Sequence, residues 1–182
     1  KKNKKFYINK SYLIFSLIIF QGFVGWFMVK SGLVNDVTVS HYRLALHLII
    51  AFIIITIIFW MILNIKKNTY KEFFKITNRN LPFIILIALI LLQVVLGAFV
   101  SGLDAGNIYQ TWPMMGYSYF PNDIVIDKIK NYFNFEHHSL VQFYHRNFAY
   151  LIMLYILTLS FYIYKKKIIK LYNPIILLLL IL

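Results

Sequence analysis

The sequence predicts an all-α integral membrane protein, a bundle of transmembrane helices, and three observations carry that expectation. Hydrophobic residues fill 60% of the 182 positions and charged residues only 14%, with a mean hydropathy of +0.70, far from the averages of a soluble domain. Four apolar runs have the length, roughly 20 residues, that crosses a bilayer as a helix. Most of the 19 Lys and Arg residues gather in short clusters beside those runs, which is how orientation is written in a membrane protein.

Taken in order, the runs are Ser11 to Val29, Arg43 to Ile65, Leu81 to Val100 and Leu140 to Tyr164. A fifth, residues 175–182, follows Pro174 as IILLLLIL and is too short to cross. The chain is therefore expected to be one integral membrane domain over 1–182, with four full spans and an incomplete fifth. It opens on Lys, with no short apolar region and small-residue cleavage site of the signal-peptide kind. On this reading it is an internal portion of a longer polypeptide.

Orientation follows from three basic regions: KKNKKFYINK at the start, the linker from Lys66 to Arg79, and KKKIIK from Lys165 to Lys170. These face the cytoplasm or matrix. The alternate loops, 31–42 and 102–139, hold few cations and contain Asp36, Asp104, Asp123, Asp127 and Glu136, so they face outward. The longer one carries WPMMG and YFPND turns and five aromatics from Tyr109 to Phe120. Such rings favour the water–lipid boundary, so this loop is expected to lie on the membrane surface. Pro113 and Pro121 interrupt any long helix there.

A net charge of +13 would suggest nucleic acid in a soluble protein. Here the cations flank apolar segments, and no nucleic-acid partner is expected; the lipid bilayer is the partner they write. The absence of Cys excludes disulfides, thiolate metal sites and Cys nucleophiles within this chain, leaving His and carboxylate for any metal chemistry.

The stretch from Gly97 to Tyr150 carries the strongest functional signal. It sets Asp104 at a membrane surface and then sends His145 and Arg146 into the next apolar segment. A charged Arg at membrane depth is costly and marks a functional site by default. His47 lies four residues into the second run and His145 about five residues into the fourth, both entering from the outer side. At about 1.5 Å per residue, each sits one to two turns below the outer interface. Arg43 and His47, four apart, share a helix face, and His145 and Arg146 are adjacent. That pairing suits a heme: imidazole ligates iron axially, and a guanidinium forks onto a propionate. The plainer alternatives are a His bonded to a neighbouring helix and an Arg snorkelling to phosphate.

His41, His137 and His138 fall in the outer loops, where solvation or loop ordering is expected and no structural zinc spacing is present. Gln21 with Gly25, and Gln93 with Gly97, repeat a Gln-x-x-x-Gly spacing in the two outgoing helices, followed by Gly32 and Gly102. Close packing through small residues, with Gln bonding across helices, is the expected reading. The recurrence of an outgoing Gln/Gly helix, an outer loop and a returning Arg/His helix also hints at internal duplication.

GWFMVKSGL, VSHYRLALHL, GAFVSGLDAGNIYQTWPMMG and VQFYHRNFAY resemble, in order, segments of the heme A synthase family in its alphaproteobacterial and mitochondrial form, from about Gln21 to Tyr150. The resemblance implies an eight-helix, pseudo-symmetric, two-bundle architecture, of which this chain looks like the third helix through part of the seventh. It implies an oxidoreductase that converts the C8 methyl of heme O to a formyl group, giving heme A for cytochrome c oxidase. Heme b is then the cofactor, water the oxygen source and heme O the substrate. The implied partners are an electron donor of unknown kind, heme O synthase and a second copy of the chain. The implied location is the bacterial inner membrane, or the mitochondrial one.

By that pattern His47 matches the histidine on the substrate-heme side and His145 a ligand of heme b, as heme-iron axial ligands. Their partner histidines would lie on the second and eighth helices, outside this sequence, as would the acidic residue thought to act in the oxidation. No catalytic residue is therefore assigned here, and this chain alone is expected to be inactive. Arg43, Arg146 and, more weakly, Lys30 are the candidate propionate contacts; Asp104 is assigned no chemical step. The outer-loop Cys pairs of some bacterial members are absent from the loops present here. The alternative functions are a non-catalytic heme b electron-transfer protein and, with no heme, an anion transporter.

Overall fold

A computed structural model describes residues 2–32, 39–67, 76–78, 80–124 and 132–181. Asp36, Asp127 and much of the basic linker lie outside the described residues. The fold is all-helical: α1 is Lys2–Gly32, α2 His41–Lys67, α3 Leu81–Gly102, α4 His138–Lys165 and α5 Tyr172–Ile181. The first four are long and apolar enough to cross a membrane. Helices prevail because each satisfies its backbone N–H and C=O groups internally, where lipid offers no partner. Their apolar windows have mean hydropathies of 2.0, 2.9, 3.0 and 1.5 in chain order. The lowest belongs to α4, which carries Gln142, His145, Arg146 and Asn147 in its first three turns.

Each helix extends past the apolar run that announces it. Helix α1 takes in the amino-terminal lysines, α2 begins at His41, and α4 begins at His138. Lysines close the C-terminal ends of two helices, Lys66 and Lys67 in the last turn of α2 and Lys165 in that of α4, where cations offset the helix dipole. At the start of α3, Asn80 Oδ1 accepts from the Thr77 N–H at 2.7 Å and from the Thr77 hydroxyl at 2.9 Å, turning the chain into the helix.

The chain divides into two compact units, Lys1–Lys75 with Val94–Ile108, and Ile76–Gln93 with Tyr109–Leu182. In the first, α1 packs on α2 through Val24, Ile50 and Ile54. In the second, Ile152, Ile156, Leu159 and Ile163 form an i, i+4, i+7, i+11 stripe on α4 that packs with Leu86 of α3 and Ile175 of α5. Tyr155 donates its hydroxyl to the Pro82 carbonyl at 2.8 Å and so ties α4 to the first turn of α3.

His41 departs from expectation. It opens α2 and is only 4% exposed, its ring edge-on to Phe99 of α3 at 5.0 Å between centroids. The reason is Gly102: a Cβ there would lie 2.7 Å from His41 Cβ and 2.8 Å from His41 Cα. Only a residue without a side chain lets the end of α3 reach the start of α2. Gly102→Ala is accordingly expected to destabilise the first unit by about 1–3 kcal/mol, the usual cost of forced overpacking. Thermal unfolding of the detergent-solubilised protein measures this, and an unshifted midpoint would count against the contact.

Candidate functional site

In the first unit the site is built from one face of α1 and the start of α2. Gln21 and Gly25 are one turn apart on α1 and both meet His47, six residues after the first residue of α2. Gly25 leaves room for the ring, since a Cβ there would come within 3.0 Å of His47 Cε1. The Gln21 amide donates to the His47 carbonyl at 2.9 Å, and its nitrogen lies 3.2 Å from ring Nδ1 and 3.1 Å from ring Nε2.

The second unit repeats the arrangement with different helices. Gln93 of α3 donates to the carbonyl of His145, which lies seven residues after the first residue of α4, at 3.1 Å. Its amide nitrogen is 3.2 Å from the ring Nδ1 and 3.5 Å from Nε2. In both units the glutamine Oε1 is buried and meets no hydrogen-bond donor among the described residues. Gln as an interhelical donor was legible in the sequence, but its partner was not. The signal that could have found it is the Gln-x-x-x-Gly repeat placed one helix ahead of each intramembrane histidine.

Each imidazole is half-buried. Among the described residues no three His, Cys, Asp or Glu side chains converge into a metal-binding group. A lone imidazole in apolar surroundings fits a metal that brings its other ligands with it, as iron does in a porphyrin. The orphaned Oε1 atoms fit it too, because an imidazole that ligates iron through one nitrogen keeps an N–H on the other, which needs an acceptor.

The arginines differ from each other. Arg43, one turn before His47, lays its guanidinium over the Phe27 ring at 5.3 Å, and Lys30 sits over Trp26 at 4.7 Å. Arg146 turns to the outer loop, donating Nη1 to the Thr111 carbonyl at 2.7 Å and Nη2 to the Tyr109 carbonyl. Gln142, one turn earlier, donates to the same Tyr109 carbonyl at 3.0 Å. The HR pair thus splits its work: the imidazole meets α3, while the guanidinium holds the loop.

That loop is built around buried side chains. Thr111 Oγ1 donates to the Met114 carbonyl at 2.8 Å and accepts from the Gly116 N–H at 2.9 Å, which closes the WPMMG turn. Met115 is 2% exposed, and Gly116 has φ +77°, a conformation that favours glycine. Trp112 is 74% and Tyr117 96% exposed. Asp104 follows α3 in the left-handed conformation, φ 51°, and makes no capping hydrogen bond with its side chain.

Asp123 clasps the loop to α4. Its carboxylate accepts from the Tyr109 hydroxyl at 2.8 Å and from Ser139 Oγ at 2.5 Å. Burial alone would raise its pKa, but the hydrogen bonds from Ser139 and Tyr109, with His137 nearby, outweigh burial and hold the carboxyl below its ordinary 3.8. Burial, and then Asp123, push the Tyr109 phenol up. A depressed folded pKa means that the clasp's contribution is fully present above 3.8 and lost as pH falls through the lower folded value. Amide exchange of residues 109–124 is expected to quicken on acidification below 3.8, and to be fast at neutral pH in Asp123→Asn. Equal protection at both pH values would contradict the clasp.

Residues 1–182 match the family model described as "Cytochrome oxidase assembly protein". The chain belongs to that family. It is similar to proteins named heme A synthase: 48% identical over 161 residues to that of Pelagibacter ubique, covering 88% of this chain and 47% of the relative. The heme A synthase of Flavobacterium psychrophilum is 40% identical over 156 residues, 85% of this chain and 45% of the relative. That of Rickettsia bellii is 42% identical over 163 residues, 86% and 47% respectively. The chain thus spans about half the length of the curated relatives it matches. No solved structure matches it. Membership of this assembly family, with four membrane-length apolar helices, makes it an integral membrane protein.

Proposed function

We propose that the protein containing this chain is a heme A synthase, which oxidises the C8 methyl of heme O to a formyl group. The repeated Gln–His arrangement carries the reading. In each unit an imidazole lies about two turns into its helix, six residues in for His47 and seven for His145, and is met by an amide from the preceding helix. Relatives named heme A synthase match 88% and 85% of the chain.

In this reading His145 ligates heme b, the cofactor, and His47 stands on the substrate side. Bound heme iron supplies the oxidising chemistry. The chain's own residues bind, orient and exclude water. Arg43 is the propionate contact best placed for it, one turn outward of His47 and with an apolar ring as its described neighbour. Arg146 has two of its N–H groups on loop carbonyls; a guanidinium has five, so it can hold the loop and still reach a propionate. The proposed location is the bacterial or mitochondrial inner membrane, and the proposed partners are heme O synthase, a redox partner and a second copy.

Expression of the whole gene product in a host that makes heme O and no heme A tests the proposal. Heme A in the extracted pigment is the expected result. Bound heme b with only heme O in the extract would replace it by electron transfer, and a protein free of heme by a transporter.

A further inference from the structure

The two glutamines do more than join helices. Gln21 and His47 are 26 residues apart and Gln93 and His145 are 52 apart, yet both pairs make the same three contacts. The amide nitrogen donates to the histidine's carbonyl and rests against both ring nitrogens. In both, Oε1 is buried without a donor among the described residues. Leaving a buried acceptor unpaired costs about 1–3 kcal/mol. The same cost, borne at corresponding atoms of two units, indicates that a donor turns to each Oε1 when the site is occupied.

The chemistry of the ring says which donor that is. A ring nitrogen that receives the amide hydrogen presents its lone pair to the amide, so it cannot present that lone pair to iron. The amide cannot readily turn, because its nitrogen is held by the histidine's carbonyl. The ring must turn instead. Once one nitrogen faces iron, the other carries hydrogen and needs an acceptor. Oε1 shares a carbon with the amide nitrogen that the ring already touches.

We propose that Gln21 and Gln93 are positioning residues for His47 and His145, each offering Oε1 to the ring N–H that remains when the other ring nitrogen ligates iron. The inference rests on the heme reading above and deepens it. It assigns the glutamines a part in setting ligand orientation and basicity, which outer-shell partners of metal-bound histidines commonly do. Interhelical adhesion alone would explain the donated hydrogen bond, but not the paired orphan acceptors.

The test uses the whole gene product, purified with the heme it retains, and the substitutions Gln93→Leu, Gln93→Glu and Gln21→Leu. Two quantities are read: the rate of heme loss to an apo-myoglobin trap, and the reduction potential. Gln93→Leu removes the acceptor and is expected to speed heme loss about tenfold or more, within the range for outer-shell partners, and to raise the potential. Gln93→Glu keeps the size and strengthens the acceptor while giving up the donation to the His145 carbonyl, so it is expected to hold heme better than Gln93→Leu and to lower the potential, because a more basic imidazole favours ferric iron. Gln21→Leu is expected to weaken heme O retention and leave the potential of heme b unchanged. Opposite shifts for Leu and Glu are beyond a purely adhesive glutamine. Wild-type retention and potential in both Gln93 variants would overturn this inference and leave the heme reading standing. A wild-type protein that binds no heme would overturn both.

Discussion

With His145 replaced by Ala, the protein is expected to lose heme b while keeping its helices. The loss follows because, in this reading, His145 is the ligand this chain offers to heme b, and no group of three or more His, Cys, Asp and Glu side chains forms among the described residues to take its place. The helices should persist because the substitution leaves the His145 carbonyl, a backbone atom, to accept from Gln93. Only the ring contact goes, about 0.5–1.5 kcal/mol for an ordinary hydrogen bond. The α4 stripe of Ile152, Ile156, Leu159 and Ile163, which packs against α3 and α5, is untouched. Circular dichroism and heme absorbance on one sample check both halves of the expectation. Heme retained at the wild-type level would remove His145 from the iron. Restoration by free imidazole in a His145→Gly variant would confirm that a nitrogen ligand is what is missing.

Arg146→Leu is expected to release the outer loop. The guanidinium donates to the carbonyls of Tyr109 and Thr111, and a hydrogen bond from a charged group contributes about 1.5–3 kcal/mol. The Tyr109 contact is part-buried, whereas that to Thr111 is exposed, where water can substitute. Gln142 still holds the Tyr109 carbonyl, so the loop should loosen at Thr111 and the WPMMG turn first. Limited proteolysis after Tyr109 and Tyr117 is expected to accelerate at least tenfold, which corresponds to about 1.4 kcal/mol. Arg146→Lys keeps the charge but not the fork, so it should protect the loop only in part. A loop as resistant in Arg146→Leu as in wild type would show that its carbonyls do not depend on Arg146, leaving a propionate as its main partner.

The spans were legible because membrane thickness sets a length, which does not depend on what touches what. The two intramembrane histidines were legible for the same reason: a polar ring is conspicuous in a run such as LALHLIIAF. The partners were not. In lipid the outward face of a helix is as apolar as the packed one, so periodicity does not tell which side of α1 meets α2. Gln21 could be read as an interhelical donor, but only the rotation of α1 brings it to His47. His41 looked like a loop residue because the apolar run begins at Arg43; Gly102, 61 residues later in sequence, is what buries it. The loop carbonyls that Arg146 holds were not legible either: adjacent helical residues point in directions about 100° apart, so its neighbour His145 says nothing of what else the guanidinium reaches.

The most direct measurement is the heme extracted from wild type, His47→Ala and His145→Ala, each as the whole gene product, in a host supplying heme O. Wild type is expected to yield heme A and heme b, His47→Ala heme b without heme A, and His145→Ala neither. Heme A formed in both variants at the wild-type level would contradict the assignment of the two imidazoles to substrate and cofactor.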